Sequence, residues 1–134
     1  MDLINRLAQS INANVKLPTK LLIGYLQPDE ALGLYALPGS TTIVEDWAGN
    51  QTRSINFEIA IRTRNAEQGY TAIWNISSYL DTIDSLKSAD GSYQFDSLTQ
   101  TSYPNNSDQD DKGYSICSLD FNVVVLTKLN REQE

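Results

Sequence analysis

The clearest pattern in the chain is the alternation of apolar and polar residues in TRSINFEIAIRTRN, residues 52–65. Every second position from 55 to 61 is apolar, which is the period of a strand with one face in a core. Residues 114–126 show the same period. The apolar face of that second segment consists of Cys117, Leu119, Phe121, Val123 and Val125. The two segments predict long strands that each bury one face.

Two other segments have apolar residues at helical spacing. The first is 2–15, where Asp2 is placed to cap the helix. The second runs from 65 to about 86, and Asn65 with Gln68 has the spacing of a capping pair. We expect the following residues to form the buried face of the second helix: Tyr70, Ile73, Trp74, Ser77, Leu80 and Ile83.

The remaining segments predict short strands and loops. Residues 21–26 and 31–37 read as two strands, joined by a turn and close enough for a hairpin. Residues 90–103 begin with an Asp-Gly turn and continue as a strand. The polar, acidic run 104–113 is expected to be a solvent-exposed loop. We expect the last residues, 128–134, to be frayed.

Residues 38–51 are bounded by turn residues and lack clean alternation. We interpret this segment as a long extended loop or hairpin arm outside the core. Ordering a backbone costs about 1–2 kcal/mol per residue. We therefore expect the arm to become ordered only against a partner.

The order of these elements predicts the fold class. A helix, two strands, the arm, a strand, a helix and a strand pair follow one another along 134 residues. That order predicts a single α+β domain over 1–134, with a mainly antiparallel or mixed sheet and two helices on one face.

Charge and hydropathy exclude some classes of partner. The net charge is −7, which argues against a general nucleic-acid binder. No stretch is long and apolar enough to predict a membrane span. The first residues lack a signal-peptide pattern, so we expect the protein to be made and kept in the cytoplasm.

Catalytic chemistry is sparse in the sequence. The chain has no histidine and one cysteine, Cys117, which we expect to be buried. The acidic run 108–113 fails as a calcium loop because Lys112 occupies a ligand position. Glu58 and Asp120 lie on outward strand faces, but nothing supplies a nucleophile or oxyanion donor beside them. We therefore expect no catalytic residues, metal or cofactor.

Five residues are candidates for an interface with other subunits or a partner. They are Trp47, Arg53, Glu58, Arg62 and Arg64. The tryptophan either folds back onto its own domain or anchors a partner. The arginines are either solubilising charges or contacts to acidic surfaces of identical neighbours.

The order and spacing of the segments, rather than any one motif, resemble a known family. LPTKLLIGYLQPDEALGLYALPGS, TRSINFEIAIRTRN, AEQGYTAIWNISSYLD and DGSYQFDSLTQTSYP follow a first helix. This arrangement, over about 1–127, resembles the phage minor capsid proteins, which belong with the tail terminators of long-tailed, non-contractile phages.

The resemblance implies a non-enzymatic virion protein at the junction of tail and head. Such a protein forms a ring, typically of six copies, on the tail tube, stops tube polymerisation and meets the connector protein of the head. DNA passes through the ring without specific binding. The alternative is a small bacterial protein-binding module, such as an adaptor or inhibitor.

Overall fold

The computed structural model describes residues 2–26, 29–47, 49–109 and 112–127. Two helices and six strands lie within these residues. The helices are α1 (Leu3–Asn14) and α2 (Ala66–Leu80), and the strands are β1 (Leu21–Ile23), β2 (Ala31–Ala36), β3 (Thr41–Glu45), β4 (Gln51–Thr63), β5 (Gln94–Gln109) and β6 (Ser115–Thr127). One sheet contains all six strands in the order β1-β2-β4-β6-β5, and β3 also pairs with β4. The α+β prediction is confirmed.

The centre of the sheet is the antiparallel pair β4 and β6. Their pairing runs without a register shift from Gln51 opposite Thr127 to Thr63 opposite Ser115. Phe57 lies opposite Phe121, and the two rings stack with 5.4 Å between their centres. The predicted strands and their buried faces are confirmed. The buried apolar residues of this pair are Phe57, Ile59, Ala60, Ile61, Cys117, Leu119, Phe121, Val123 and Val125.

Both helices cover the same face of the sheet, as predicted. Helix α2 lies against β4, β5 and β6, while α1 lies against β1, β2 and the second helix. The spacing of apolar residues in α1 places Leu3, Leu7 and Ile11 in the core. The other face of the sheet carries no helix of the described residues.

The N-terminus of α1 differs from the prediction in one respect. Asp2 is at the cap position but makes no side-chain cap hydrogen bond. Its carboxylate instead accepts hydrogen bonds from the Ser88 hydroxyl (2.7 Å) and the Ala89 backbone N–H (2.7 Å). The segment between α2 and β5 therefore lies over the start of α1 and hydrogen-bonds to the Asp2 side chain.

Helix α2 is shorter than predicted and is rotated about its axis. It ends at Leu80 instead of near 86. Tyr70 and Trp74, predicted to be buried, are 41% and 39% exposed, whereas Ala72 and Ile76 are buried. The capping prediction is confirmed for Asn65, whose side chain accepts a 3.0 Å hydrogen bond from the Gln68 backbone N–H.

Gly69 accounts for the rotation of α2. This glycine is buried and faces the end of β4. A Cβ atom there would lie 2.6 Å from Cγ2 of Thr63, closer than two carbon atoms can approach. The glycine lets the helix lie directly on the sheet, which turns Tyr70 and Trp74 outward.

Strands β1 and β2 do not form the predicted hairpin. They pair in parallel, with Leu21 opposite Leu32 and Ile23 opposite Leu34. Gly24 follows β1 with a φ of +123°, and its backbone N–H donates a 2.9 Å hydrogen bond to the Leu34 carbonyl. The chain must therefore return along the sheet before β2 begins. Residues 27 and 28 of the predicted turn lie outside the described residues.

Strand β5 is longer than predicted. It continues from Gln94 to Gln109, so residues 104–109 belong to the sheet and not to a loop. Its register against β6 shifts four times, which breaks the side-chain alternation on which the strand prediction depends. The polar residues 105–109 can still pair with β6, because the hydrogen bonds of a sheet join backbone groups. Residues 110 and 111, and the tail 128–134, lie outside the described residues.

Candidate interaction surface

The predicted arm at 38–51 is a β-hairpin continuous with the sheet. Strand β3 pairs with the first residues of β4, with Thr41 opposite Ser54 and Glu45 opposite Gln51. Of the two predicted forms, the segment is a hairpin and not an extended loop, and its strand belongs to the sheet. A register shift between Thr42 and Val44 hides the strand period in the sequence.

The tip of this hairpin is stabilised by Asp46. Its carboxylate accepts hydrogen bonds from the Asn50 backbone N–H (2.8 Å) and the Asn50 side-chain amide (2.9 Å). Gly49 supplies the positive φ, +84°, that the turn requires. These hydrogen bonds hold the tip by contacts within the chain. That the arm becomes ordered only against a partner stays a prediction.

Trp47 lies at the hairpin tip with a relative exposure of 106%. Its side chain therefore does not pack on the core of its own domain, which was one of the two alternatives. Ile43, on the same hairpin, is 55% exposed. The hairpin presents an aromatic and an aliphatic side chain to solvent.

Arg62 and Arg64 lie at the opposite end of β4, over the ring of Tyr114. Their guanidinium carbons are 3.8 and 4.8 Å from the ring centre, which are cation–π distances. The Arg62 side chain also donates a 3.3 Å hydrogen bond to the backbone carbonyl of Asp29. The backbone N–H of Arg64 donates to the Glu30 carboxylate at 3.0 Å. This basic end of β4 is thus fixed in place by its own chain.

The predicted site residues do not converge on one point. Arg53 is half-buried near the hairpin, where its Nε donates a 2.9 Å hydrogen bond to the Gln51 side chain. Arg62 lies nine residues further along β4, which is about 30 Å at ~3.3 Å per residue. Glu58 lies between them on the open face of the sheet. The candidates therefore lie at separate positions along β4 and just beyond its two ends.

Glu58 lies directly opposite Asp120 on the open face. The Tyr35 hydroxyl donates a hydrogen bond to the Glu58 carboxylate. Burial, followed by the hydrogen bond and charge of Glu58, raises the pKa of Asp120 to about 6. Burial and the same carboxylate also raise the pKa of Tyr35. The sequence placed both carboxylates on outward faces, and the register pairs them.

The side chains beside this carboxylate pair carry hydroxyl and amide groups. Tyr35, Asn56, Asn122 and Ser102 are its neighbours in the register of β2, β4, β5 and β6. Cys117 is buried, and burial raises the pKa of its thiol, so it is unsuited to nucleophilic chemistry. Within the described part of the chain, no cluster of three or more histidine, cysteine or carboxylate residues has the arrangement of a metal site.

A group of exposed aromatic residues was missed by sequence reasoning. We call Tyr70, Trp74 and Tyr103 the aromatic patch. The rings of Tyr70 and Trp74 meet edge to face at 6.1 Å between centres, and Trp74 stacks on Tyr103 at 6.4 Å. The misassigned phase of α2 concealed the patch. Gly69, a glycine within the helical segment, was the sequence signal that could have revealed it.

Comparison with known proteins gives the family. Residues 11–127 match the sequence profile described as bacteriophage tail terminator protein, which is most of the 134-residue chain. The chain belongs to the bacteriophage tail terminator family. The predicted resemblance is confirmed, and the alternative of a bacterial adaptor or inhibitor is set aside. No curated protein matches this terminator.

Family membership makes the terminator a structural component of the virion whose partners are parts of the phage tail and head. The matched region includes the hairpin with Trp47, both arginines of the basic end and the aromatic patch. None of the terminator's helices within the described residues is long and apolar enough to cross a membrane.

Proposed function

We propose that this terminator forms a ring of six copies on the end of the tail tube, stops tube polymerisation and offers its other side to the connector protein of the head. The family match supports the role. The observation that carries the proposal is the fully exposed Trp47 on a hydrogen-bonded hairpin tip. Stopping polymerisation requires a protein that binds firmly to the growing end of the tube.

Trp47 suits the role of an anchor for that contact. A buried tryptophan is among the strongest contributors to protein interfaces. Its backbone lies in a turn with hydrogen bonds between Asp46 and Asn50, so burying the ring requires little reordering of that backbone. The proposed partner of this tip is the tail tube protein encoded in the same phage genome.

Trp47→Ala tests the proposal in a tube-capping assay. Tail tube protein is polymerised with and without the terminator, and tube length is measured by electron microscopy. The wild-type protein is expected to give short, capped tubes, and the variant long ones. The melting temperature of the variant is expected to be unchanged, since the side chain contacts no core residue.

Trp47→Phe is the matched control, because it keeps an aromatic ring at the tip and is expected to retain most of the capping. Capping by Trp47→Ala at the wild-type level would exclude this residue as the anchor. Failure of the wild-type protein to shorten tubes would overturn the proposed function itself.

The basic end of β4 is proposed as a second contact of the assembly. Arg62 and Arg64 are positioned side by side over Tyr114 in a chain of net charge −7. Such a cluster suits an acidic surface of a neighbouring component, where it would fix orientation more than it would add affinity. Arg53 and Glu58 are proposed as lesser contacts along the same strand.

The ring is also proposed to let DNA pass without binding it. Six copies at −7 each carry a charge of −42, and only charges within about a Debye length, ~8 Å at physiological salt, act on DNA in the hole. We expect the hole to be acidic or neutral. Fluorescence anisotropy with a short DNA duplex at physiological salt is expected to show no binding. Micromolar or tighter affinity would contradict this part of the proposal.

A further inference from the structure

The aromatic patch lies at the β5 edge of the sheet. Tyr70 and Trp74 are four residues apart on α2, and Tyr103 is on the edge strand β5. The three side chains are 41%, 39% and 56% exposed, and their rings contact one another. Contiguous exposed rings of this kind mark an interaction site more often than three scattered ones would.

A second exposed apolar surface lies at the opposite edge of the sheet. Strand β1 is the other edge strand, and its Leu22 and Ile23 are 54% and 48% exposed. These residues border a groove of about 540 Å³ between α1 and β1, which we call the β1 groove. Four strand spacings of ~4.8 Å separate the two edges, which is about 19 Å.

We infer that the aromatic patch of one copy packs into the β1 groove of the next copy. The inference rests on the proposed ring. A ring joins subunits head to tail, so each copy must carry two different, complementary surfaces at different places. The aromatic patch and the β1 groove meet that requirement, because they lie on opposite edges of one sheet.

The charges beside the two surfaces are complementary. Lys20 lines the β1 groove, where the other polar lining residues are uncharged. Glu67 precedes Tyr70 by three residues and Trp74 by seven, so it lies on the same side of α2 as both rings. Packing the patch into the groove brings Glu67 of one copy toward Lys20 of the next, which favours this pairing over patch against patch.

The area of the patch is appropriate for the centre of an interface. Side chains of this type bury 150–250 Å² each, so the exposed parts of the three rings offer roughly 300 Å². A standard interface buries about 800 Å² on each partner. The rings would thus form the apolar centre, and polar residues of α2 and β5 would supply the rim.

Complementation between two defective variants tests the pairing. The patch variant carries Trp74→Ser and Tyr103→Ser, and the groove variant carries Leu22→Ser and Ile23→Ser. Each variant alone is expected to associate with itself at least about tenfold more weakly than the wild type, since buried aromatic anchors dominate interfaces. A 1:1 mixture is expected to form dimers and nothing larger, because one intact patch meets one intact groove. Sedimentation velocity measures this.

Leu126→Ser is the matched control, since Leu126 is an exposed apolar residue of β6 that belongs to neither surface. It is expected to assemble as the wild type does. Melting temperatures of all variants are compared, so that loss of assembly can be separated from loss of fold. Wild-type assembly by both double variants, or a mixture that remains monomeric, would overturn the pairing.

Cysteine cross-linking also detects weak association, because a disulfide traps a transient contact. Copies with Lys20→Cys are mixed with copies with Glu67→Cys, in solution and on tail tubes, and oxidised, because these positions lie beside the two surfaces and leave their apolar side chains in place. A disulfide-linked heterodimer is expected, while Thr99→Cys on the open sheet face is expected to link poorly to either. Absence of the heterodimer on tubes that the wild-type protein caps would overturn this interface and leave the proposed function standing. Absence of both capping and cross-links would overturn the proposed function.

Discussion

On the helix-covered face of the sheet Phe57 stacks on Phe121, whereas in the adjacent pair of the register, on the open face, Glu58 lies opposite Asp120. Both pairs belong to the same uninterrupted register. The first pair is buried and contributes packing, while the second places two carboxylates side by side, which is destabilising when both are charged. A slip of one residue would put the charged pair under the helices. The comparison shows that packing of the apolar face determines the register. The pairing of two carboxylates on the open face is a consequence of that register.

The rest of the open face is held by polar contacts. The Asn122 side-chain amide donates to the Ser54 hydroxyl at 2.6 Å and to the Asn56 side-chain oxygen at 2.9 Å. These hydrogen bonds join β4 to β6 without burying an apolar side chain. We therefore expect substitutions on the open face to cost much less stability than substitutions beneath the helices.

The largest difference between the faces is expected from Phe57→Ala. Phe57 is buried against Phe121, so its removal leaves a cavity and should lower the free energy of unfolding by roughly 3–5 kcal/mol. Glu58→Ala, on the neighbouring residue, is expected to change it little. Chemical denaturation measures both, and equal losses would show that the two faces do not differ as described.

A smaller effect is expected from Gly69→Ala on the helix-covered face. The new Cβ would lie 2.6 Å from Cγ2 of Thr63, and overpacking of this kind costs about 1–3 kcal/mol. Thr63→Ser removes that methyl group, and combined with Gly69→Ala it is expected to restore most of the stability. A loss that the second substitution does not relieve would mean that the contact with Thr63 is not its cause.

On the open face, Asn122→Ala is expected to cost about 1 kcal/mol, since it removes two side-chain hydrogen bonds from a half-buried position. Thr99, opposite Asn122 in β5, is exposed, and Thr99→Ala is the control with no expected change. Urea denaturation of the two variants is the measurement. A loss as large as that of Phe57→Ala would show that hydrogen bonds on the open face contribute as much to stability as packing in the core.

The smallest expected effect depends on pH, because solvent screens the charges of the half-buried Glu58 and Asp120. The pKa of Asp120 is raised from 3.8 to about 6, mainly by burial and then by Glu58. Between these pH values the folded protein retains a proton that the unfolded chain has released, so this contribution to stability is lost as the pH rises from about 4 to about 6. Asp120→Asn is expected to remove that part of the pH dependence and to stabilise the protein near pH 7.

Denaturation midpoints of Asp120→Asn and the wild type are to be compared between pH 4 and 7. Asp96→Asn, on an exposed carboxylate of β5, is the control and is expected to leave the shape of the profile unchanged. Parallel profiles for the wild type and Asp120→Asn would show that the pKa of Asp120 is not raised in the folded protein.

The sequence predicted the parts of the fold in which local periodicity and tertiary packing agree. Strands β4 and β6 alternate because helices cover one of their faces, and Asn65 caps α2 through a contact of only three residues. The prediction was wrong where a contact that sequence periodicity does not reveal determines the local structure. The phase of α2 depends on Gly69 meeting Thr63, and the parallel pairing of β1 depends on the path of the chain after Gly24.

The candidate surface was predicted unevenly for the same reason. Trp47 was recognised because it breaks every nearby period, and it lies exposed at the hairpin tip. The aromatic patch was missed because its members come from α2 and from β5, whose shifted register conceals the strand pattern. The stacking of two arginines on Tyr114 likewise joins residues that are separated by some fifty positions in the sequence.

The place of β6 in the sheet has a consequence for biosynthesis. β6 is the last of the described strands to leave the ribosome, yet it lies between β4 and β5 and pairs residues 52 to 76 positions apart in the sequence with β4. Until it emerges, β5 has no strand to pair with and one long edge of β4 is open. A nascent or prematurely terminated chain that lacks residues 115–127 therefore exposes the aggregation-prone edges that the finished sheet conceals.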